Sequence, residues 1–247
     1  MPRFSRKLSA TGHYHVIIRG VNRQDILRDD QDRRKMIDTL FRFSTETGVQ
    51  ILVYCLMDNH IHLLLRAEDG AATFIKKLAS SYVYYFNRKY GRIGHLFQDR
   101  YRSEAVDTEA YLLTVARYIL QNPQKAGICR ANAYEWSSWK AIETGAGRCD
   151  TQLLCDCAGD RPSLVAFCLA ANDDRCLDVD ASTALTDAEA MRRLQRICGA
   201  IDPSGVAALP YGQRNALLAR AKRDGLSVRQ LSRLTGVDRN AVQRAEE

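Results

Sequence analysis

The chain has 247 residues, 46% of them hydrophobic, and a formal net charge of +7. That composition supports a folded core and excludes a disordered chain, and the length allows one or two domains. The charge is unevenly placed: 23 Lys and Arg against 16 Asp and Glu over residues 1–150, 2 against 8 over 151–190, and 11 against 5 over 191–247. Two basic blocks around an acidic one suit two modules that each face a polyanion, although a basic surface serving solubility alone has the same signature. The opening MPRFSRKLSATGHYHV lacks the apolar stretch of a secretory signal, and no later run approaches a membrane span. A cytosolic chain is expected, with its eight cysteines as free thiols. Cys149, Cys155, Cys157, Cys168, Cys176 and Cys198 crowd the middle but lack the paired C-x-x-C spacing of a zinc ribbon.

In chain order, His13 to Arg19 reads as a strand ended by Gly20. Asp29, Asp30 and Asp32 put carboxylates at a helix start, and that helix stops near Gly48. Ile51–Leu56 and Ile61–Leu65 are two strands close enough to form a hairpin around Asp58-Asn59. A second helix spans Ala71–Tyr90, Gly94–Val106 is extended, and Thr108 caps a third helix from Glu109 to about Asn122. Strand–helix–strand–strand–helix–strand is the ferredoxin-like plan, an α+β fold with an antiparallel sheet and helices on one face.

The second strand of the hairpin opens His60-Ile61-His62. Side chains two apart on a strand share a face, so His60 and His62 aim two imidazoles at one point, half of a metal site on a rigid element. His13 and His15 repeat the spacing on the first strand and are the alternative pair, without the apolar surround. On the third helix, Leu112, Val115, Ala116 and Ile119 make an apolar stripe, and Tyr118 and Asn122, four apart, stack at its edge. Asn122 could supply an oxygen ligand and Tyr118 a nucleophile; a boundary tyrosine and a helix-end asparagine fit the same spacing. Tyr111, seven residues before Tyr118, is the second candidate nucleophile. Arg100 and Arg102, two apart on the extended segment, can contact phosphate or simply face solvent.

Several of these segments together resemble the single-tyrosine HUH transposases, and within them the REP-associated tyrosine transposases of bacteria. The matching stretches are Tyr14-His15-Val16 with Arg19-Gly20, Tyr54-Cys55-Leu56-Met57, Asn59 to Leu65, Tyr85-Phe86-Asn87-Arg88, Gly94 to Gln98 with Arg100-Tyr101, Tyr111-Leu112-Leu113, Arg117-Tyr118-Ile119, Asn122-Pro123 and Trp136-Ser137-Ser138. The resemblance implies His60 and His62 as the metal pair, Asn122 as the third ligand and Tyr118 as the nucleophile. It also implies cleavage and rejoining of single-stranded DNA at hairpin-bearing repeats through a 5′-phosphotyrosine, with Mg²⁺ or Mn²⁺ as cofactor. One tyrosine per chain means two active sites or two successive rounds, so a homodimer is one solution. The alternatives are a domesticated DNA-binding regulator that does not cut, and a zinc hydrolase that uses His60 and His62 with water.

Residues 1–148 therefore form the expected catalytic domain, 149–186 an acidic, Cys-containing connector, and 187–247 a helical domain. In the last, Leu231, Leu234, Val237 and Val242 are spaced as the inward residues of a helix-turn-helix with Gly236 at the turn. Arg239, Asn240, Gln243 and Arg244 would face outward, residue types that read bases or hold phosphates. A plain helical packing or dimerisation unit is the alternative.

Overall fold

The computed structural model describes residues 8–68, 70–98, 100–178, 187–199 and 201–245, with residues 187–189 described by backbone alone. The first seven residues of the chain and residues 179–186 of the expected connector lie outside these. Strand β1 (His13–Arg19) is followed by α1 (Asp30–Thr47), the hairpin of β2 (Gln50–Met57) and β3 (His60–Arg66), α2 (Ala72–Tyr90) and β4 (Arg102–Ala105). The sheet order is β2-β3-β1-β4, antiparallel throughout, which is the ferredoxin-like α+β plan. Local chemistry sets the boundaries: the Asp29 side chain accepts from the Asp32 amide at the start of α1, and Gly48 closes that helix in the left-handed region.

Strand alternation divides the sheet into two faces. Tyr14, Val16, Ile18, Ile61, Leu63 and Leu65 join Met36, Leu40, Phe74 and Leu78 of α1 and α2 in one core. The opposite face receives α3 (Glu109–Leu120), whose Leu112, Val115, Tyr118 and Ile119 pack with Val53, Cys55, Met57 and Leu64. Helices α1 and α2 share one face as expected, and α3 adds a layer on the other. A sheet covered on both sides explains why β2 and β3 read as nearly unbroken apolar runs.

A short α4 (Asn122–Lys125) continues from α3, and α5 (Trp139–Thr144), α6 (Gln152–Ala158) and α7 (Arg161–Leu169) follow. The chain divides into Met1–Val179 and Asp180–Glu247, so the described part of the expected connector, 149–178, belongs to the first unit. Leu154, Cys155, Leu164 and Cys168 of α6 and α7 are buried in the same core as α3. The acidic residues lie outside that core: Asp156 on α6, Asp160 capping α7, and Asp173, Asp174 and Asp178 in the irregular chain that follows.

In the second unit, α8 (Asp187–Cys198), α9 (Tyr211–Arg223), α10 (Val228–Thr235) and α11 (Arg239–Arg244) enclose Leu194, Leu218, Leu231, Val237 and Val242. Ser227 and Gln230 form a capping box at the start of α10, and Gly236 turns the chain into α11 at φ +72°. Among the described residues, no helix is long and apolar enough to cross a membrane.

Gly20 ends β1 where no side chain fits: a Cβ there would lie 2.1 Å from the Gln24 carbonyl oxygen and 2.9 Å from Ile26 Cγ2. Gly20→Ala is expected to cost about 1–3 kcal/mol or more through forced backbone movement, read as a lower midpoint in denaturant unfolding.

Candidate active site

The two-residue turn Asp58-Asn59 fixes the register in which Met57 pairs with His60 and Cys55 with His62. His60 and His62 consequently share the α3 face of β3, their ring centroids 4.9 Å apart. His62 is wholly buried and His60 nearly so, at 8% exposed. Burial first, then the neighbouring His60 and His15 rings, hold the His62 imidazole well below its ordinary pKa, so the ring is neutral as a metal ligand must be. Its Nε2 is buried and has no hydrogen-bond partner among the described residues. A buried imidazole nitrogen left without a donor or acceptor is the chemistry that a divalent cation satisfies. Among the described residues, no group of three His, Cys, Asp or Glu side chains is arranged to hold a metal, so the two imidazoles need oxygen donors to complete a site.

Tyr118 comes from α3 onto the same face. Its ring centroid lies 6.0 Å from those of both His62 and His15. Burial, followed by a hydrogen bond to the Asp178 carboxylate and the charges of Asp178, Cys176 and Glu104, pushes the phenol well above its ordinary pKa. The Lys125 ammonium stands 4.3 Å from the Tyr118 ring centroid, a positive charge beside the hydroxyl-bearing ring. Asn122 lies just beyond α3, at the start of α4, with its Nδ2 donating to the Tyr118 carbonyl at 3.0 Å. The amide nitrogen is the atom engaged there, a bond to the carbonyl four residues back that ties the side chain to the end of α3. Tyr111, the second candidate, is hydrogen-bonded to Glu104 and Cys176, and burial with those neighbours raises its pKa as well.

His13 and His15, the alternative pair, meet different partners. His13 Nδ1 meets Thr11 Oγ1 at 3.0 Å, whereas His15 reaches His62, its Nε2 3.1 Å from His62 Nδ1. On its other side, His15 Nδ1 is 2.9 Å from Glu104 Oε1. Burial opposes ionisation of Glu104, but the hydrogen bonds from His15 and from the Leu177 amide favour it, and the carboxyl lies below its ordinary pKa. Sequence reasoning missed Glu104; only the register of β4, which sets it opposite His15, reveals its partner.

Sequence reasoning also missed the acidic segment that borders this face. Asp174 takes Arg117 with two bonds of 2.7 and 2.9 Å, and Leu177 N donates to Glu104 Oε1 at 3.1 Å. Arg102 faces the same way and donates to the Asp178 carbonyl at 2.8 Å, while Arg100 is exposed ahead of β4. In the second unit, Arg239, Asn240, Gln243 and Arg244 are all exposed on α11. A cleft of about 510 Å³ in that unit is lined by Arg193, Arg196, Arg220 and Arg223 with Asp224, a concentration of guanidinium groups that the sequence pattern did not single out.

Residues 9–122 match the family model described as IS200-like transposase. The fold also has a structural counterpart: a REP-associated tyrosine transposase bound to a REP hairpin superposes with a TM-score of 0.52 at 14% identity, covering 72% of this chain and all of that one. Identity that low speaks for the fold alone. A candidate transposase from Deinococcus radiodurans R1 shares 21% identity over 44% of this chain and 88% of its own, with a TM-score of 0.35. No curated protein matches the chain.

Proposed function

We propose that the chain is a metal-assisted, single-strand DNA transposase that cleaves and rejoins DNA through Tyr118. The observation that carries this reading is the convergence on one sheet face of a phenol from α3 and two near-buried imidazoles from β3. The Tyr118 oxygen attacks a phosphodiester, forming the tyrosyl O–P bond as the bond from phosphorus to the 3′-oxygen breaks. The phenolic proton leaves, the 3′-oxygen takes one up, and a 5′-phosphotyrosine and a 3′-hydroxyl result. The covalent intermediate keeps the bond energy for rejoining, because a phenolate leaves more readily than an alkoxide. A Mg²⁺ or Mn²⁺ held by His60, His62 and Asn122 would polarise a phosphate oxygen and orient the attack, with imidazole favouring Mn²⁺ in affinity. Lys125 draws the phosphodiester toward the tyrosine, and an incoming phosphate competes with Asp174 for the Arg117 fork.

The hairpin-bound structural neighbour supports a hairpin-bearing substrate for this chain as well. The test is incubation of the full chain and a divalent metal with single-stranded oligonucleotides that carry hairpins from the flanks of its own gene. A denaturation-resistant protein–DNA adduct is expected. No adduct with any of them would leave the binding-protein alternative standing.

The second unit is proposed to bind DNA through α11, with Arg239, Asn240, Gln243 and Arg244 outward and Arg102 and Arg100 as phosphate contacts on the first unit. If Arg239 and Arg244 each neutralise one phosphate, replacing both by Ala lowers the slope of log affinity against log salt by about two, at roughly 0.9 per phosphate. Binding measured by anisotropy across a salt series checks this; an unchanged slope assigns α11 to packing.

A further inference from the structure

We infer that Glu104, His15 and Asn59 form a hydrogen-bonded layer behind the two metal-facing imidazoles and set the tautomer and aim of both. The inference rests on reading His60 and His62 as the metal pair. It follows from donor and acceptor counting. An ionised carboxylate can only accept, so at 2.9 Å from Glu104 Oε1 the proton of His15 sits on Nδ1. The backbone amide of Leu177 also donates to Oε1, in keeping with that oxygen as an acceptor. On the reading that His62 ligates through Nε2, its Nδ1 keeps the proton, so the ring held between Glu104 and His62 must meet it with an Nε2 lone pair and accept. The two nitrogens are 3.1 Å apart, and His62 Nδ1 donates. The proton of His62 is fixed on Nδ1 and its lone pair on Nε2, the buried nitrogen without a protein partner among the described residues.

A separate contact gives His60 the same answer. His60 Nδ1 is 2.6 Å from Asn59 Oδ1, and the amide is oriented by its Nδ2 donating to the Arg23 carbonyl at 3.3 Å. Asn59 Oδ1 only accepts, so His60 also holds its proton on Nδ1 and presents Nε2 as a base. Two independent supports, one running from β4 through β1 and one from the hairpin turn, thus prepare the same nitrogen on both rings. His15 and His62 are both wholly buried, so water does not offer the opposite tautomer a competing partner. Glu104, His15 and Asn59 touch neither substrate nor metal; they are positioning residues.

Two readouts on the full chain test the layer. Long-range ¹⁵N–¹H NMR of the metal-free protein is expected to show Nδ1–H tautomers for His15, His60 and His62, a measurement that needs no substitution. Mn²⁺ affinity, followed by the EPR signal of the free ion, is expected to fall about 10- to 100-fold in Glu104→Ala, with mixed tautomers at His62. Glu104→Gln, which keeps an acceptor oxygen, should restore both to within a few-fold. An Nε2–H tautomer at His62 in the parent protein, or parental Mn²⁺ affinity in Glu104→Ala, would overturn the inference while leaving the metal pair intact. Failure of the parent to bind Mn²⁺ would overturn the metal pair itself, and the inference with it.

Discussion

Tyr118→Phe is expected to abolish covalent adduct formation with single-stranded DNA, by about 10³-fold or more, while DNA affinity stays within a few-fold of the parent. The substitution removes one oxygen and keeps the ring that packs in the α3 core with Val115 and Ile119. What the fold loses is the hydroxyl's hydrogen bond to Asp178, worth about 1–3 kcal/mol when the acceptor is charged, so the variant should fold and bind. Adduct yield on denaturing gels, beside binding measured on the same oligonucleotide, separates chemistry from recognition. An adduct that survives in Tyr118→Phe would move the nucleophile elsewhere, with Tyr111 next in line. Cleavage without an adduct would point to water acting on a metal.

The second large effect concerns the metal. Chelation is expected to lower the adduct rate by about 10²–10³-fold, reversibly on addition of Mn²⁺ or Mg²⁺, since charge stabilisation by a bound cation contributes several kcal/mol at 1.36 kcal/mol per factor of ten. Chelation is cleaner than mutation here. His62→Ala would also open a cavity and leave His15 Nε2 buried without its partner, at a cost of about 1–3 kcal/mol in stability. Loss of activity in that variant alone would not separate ligation from folding. His60→Ala should match the chelated protein in rate, read beside its unfolding midpoint because that ring is 8% exposed and bonded to Asn59. Full activity in excess chelator would remove the cation from the reaction.

Much of this site is legible in the amino-acid sequence, for reasons specific to its elements. The period of a strand is two regardless of context, so His60 and His62 must share a face. The period of a helix places Tyr118 on the packing stripe of α3, and strand–helix order supplies the sheet. What stays hidden depends on pairing between segments distant in sequence. Glu104 meets His15 only because β4 pairs with β1 in one register, 89 residues apart in sequence. The first HxH admits two roles on spacing alone, and only strand pairing reveals that His15 Nε2 lies 3.1 Å from His62 Nδ1. The stretch 149–178 reads as a connector because α6 and α7 have 7 and 9 residues, too short for their apolar sides to stand out from an acidic background. Asp174 and Asp178 follow α7 in irregular chain, where no periodicity announces a partner.

The most direct measurement is mass-spectrometric mapping of the trapped adduct after proteolysis and nuclease digestion. A nucleotide joined through its 5′-phosphate to Tyr118 is the expected result. A nucleotide on any other residue, or a 3′-phosphate linkage, would contradict the assignment of this phenol as the attacking group.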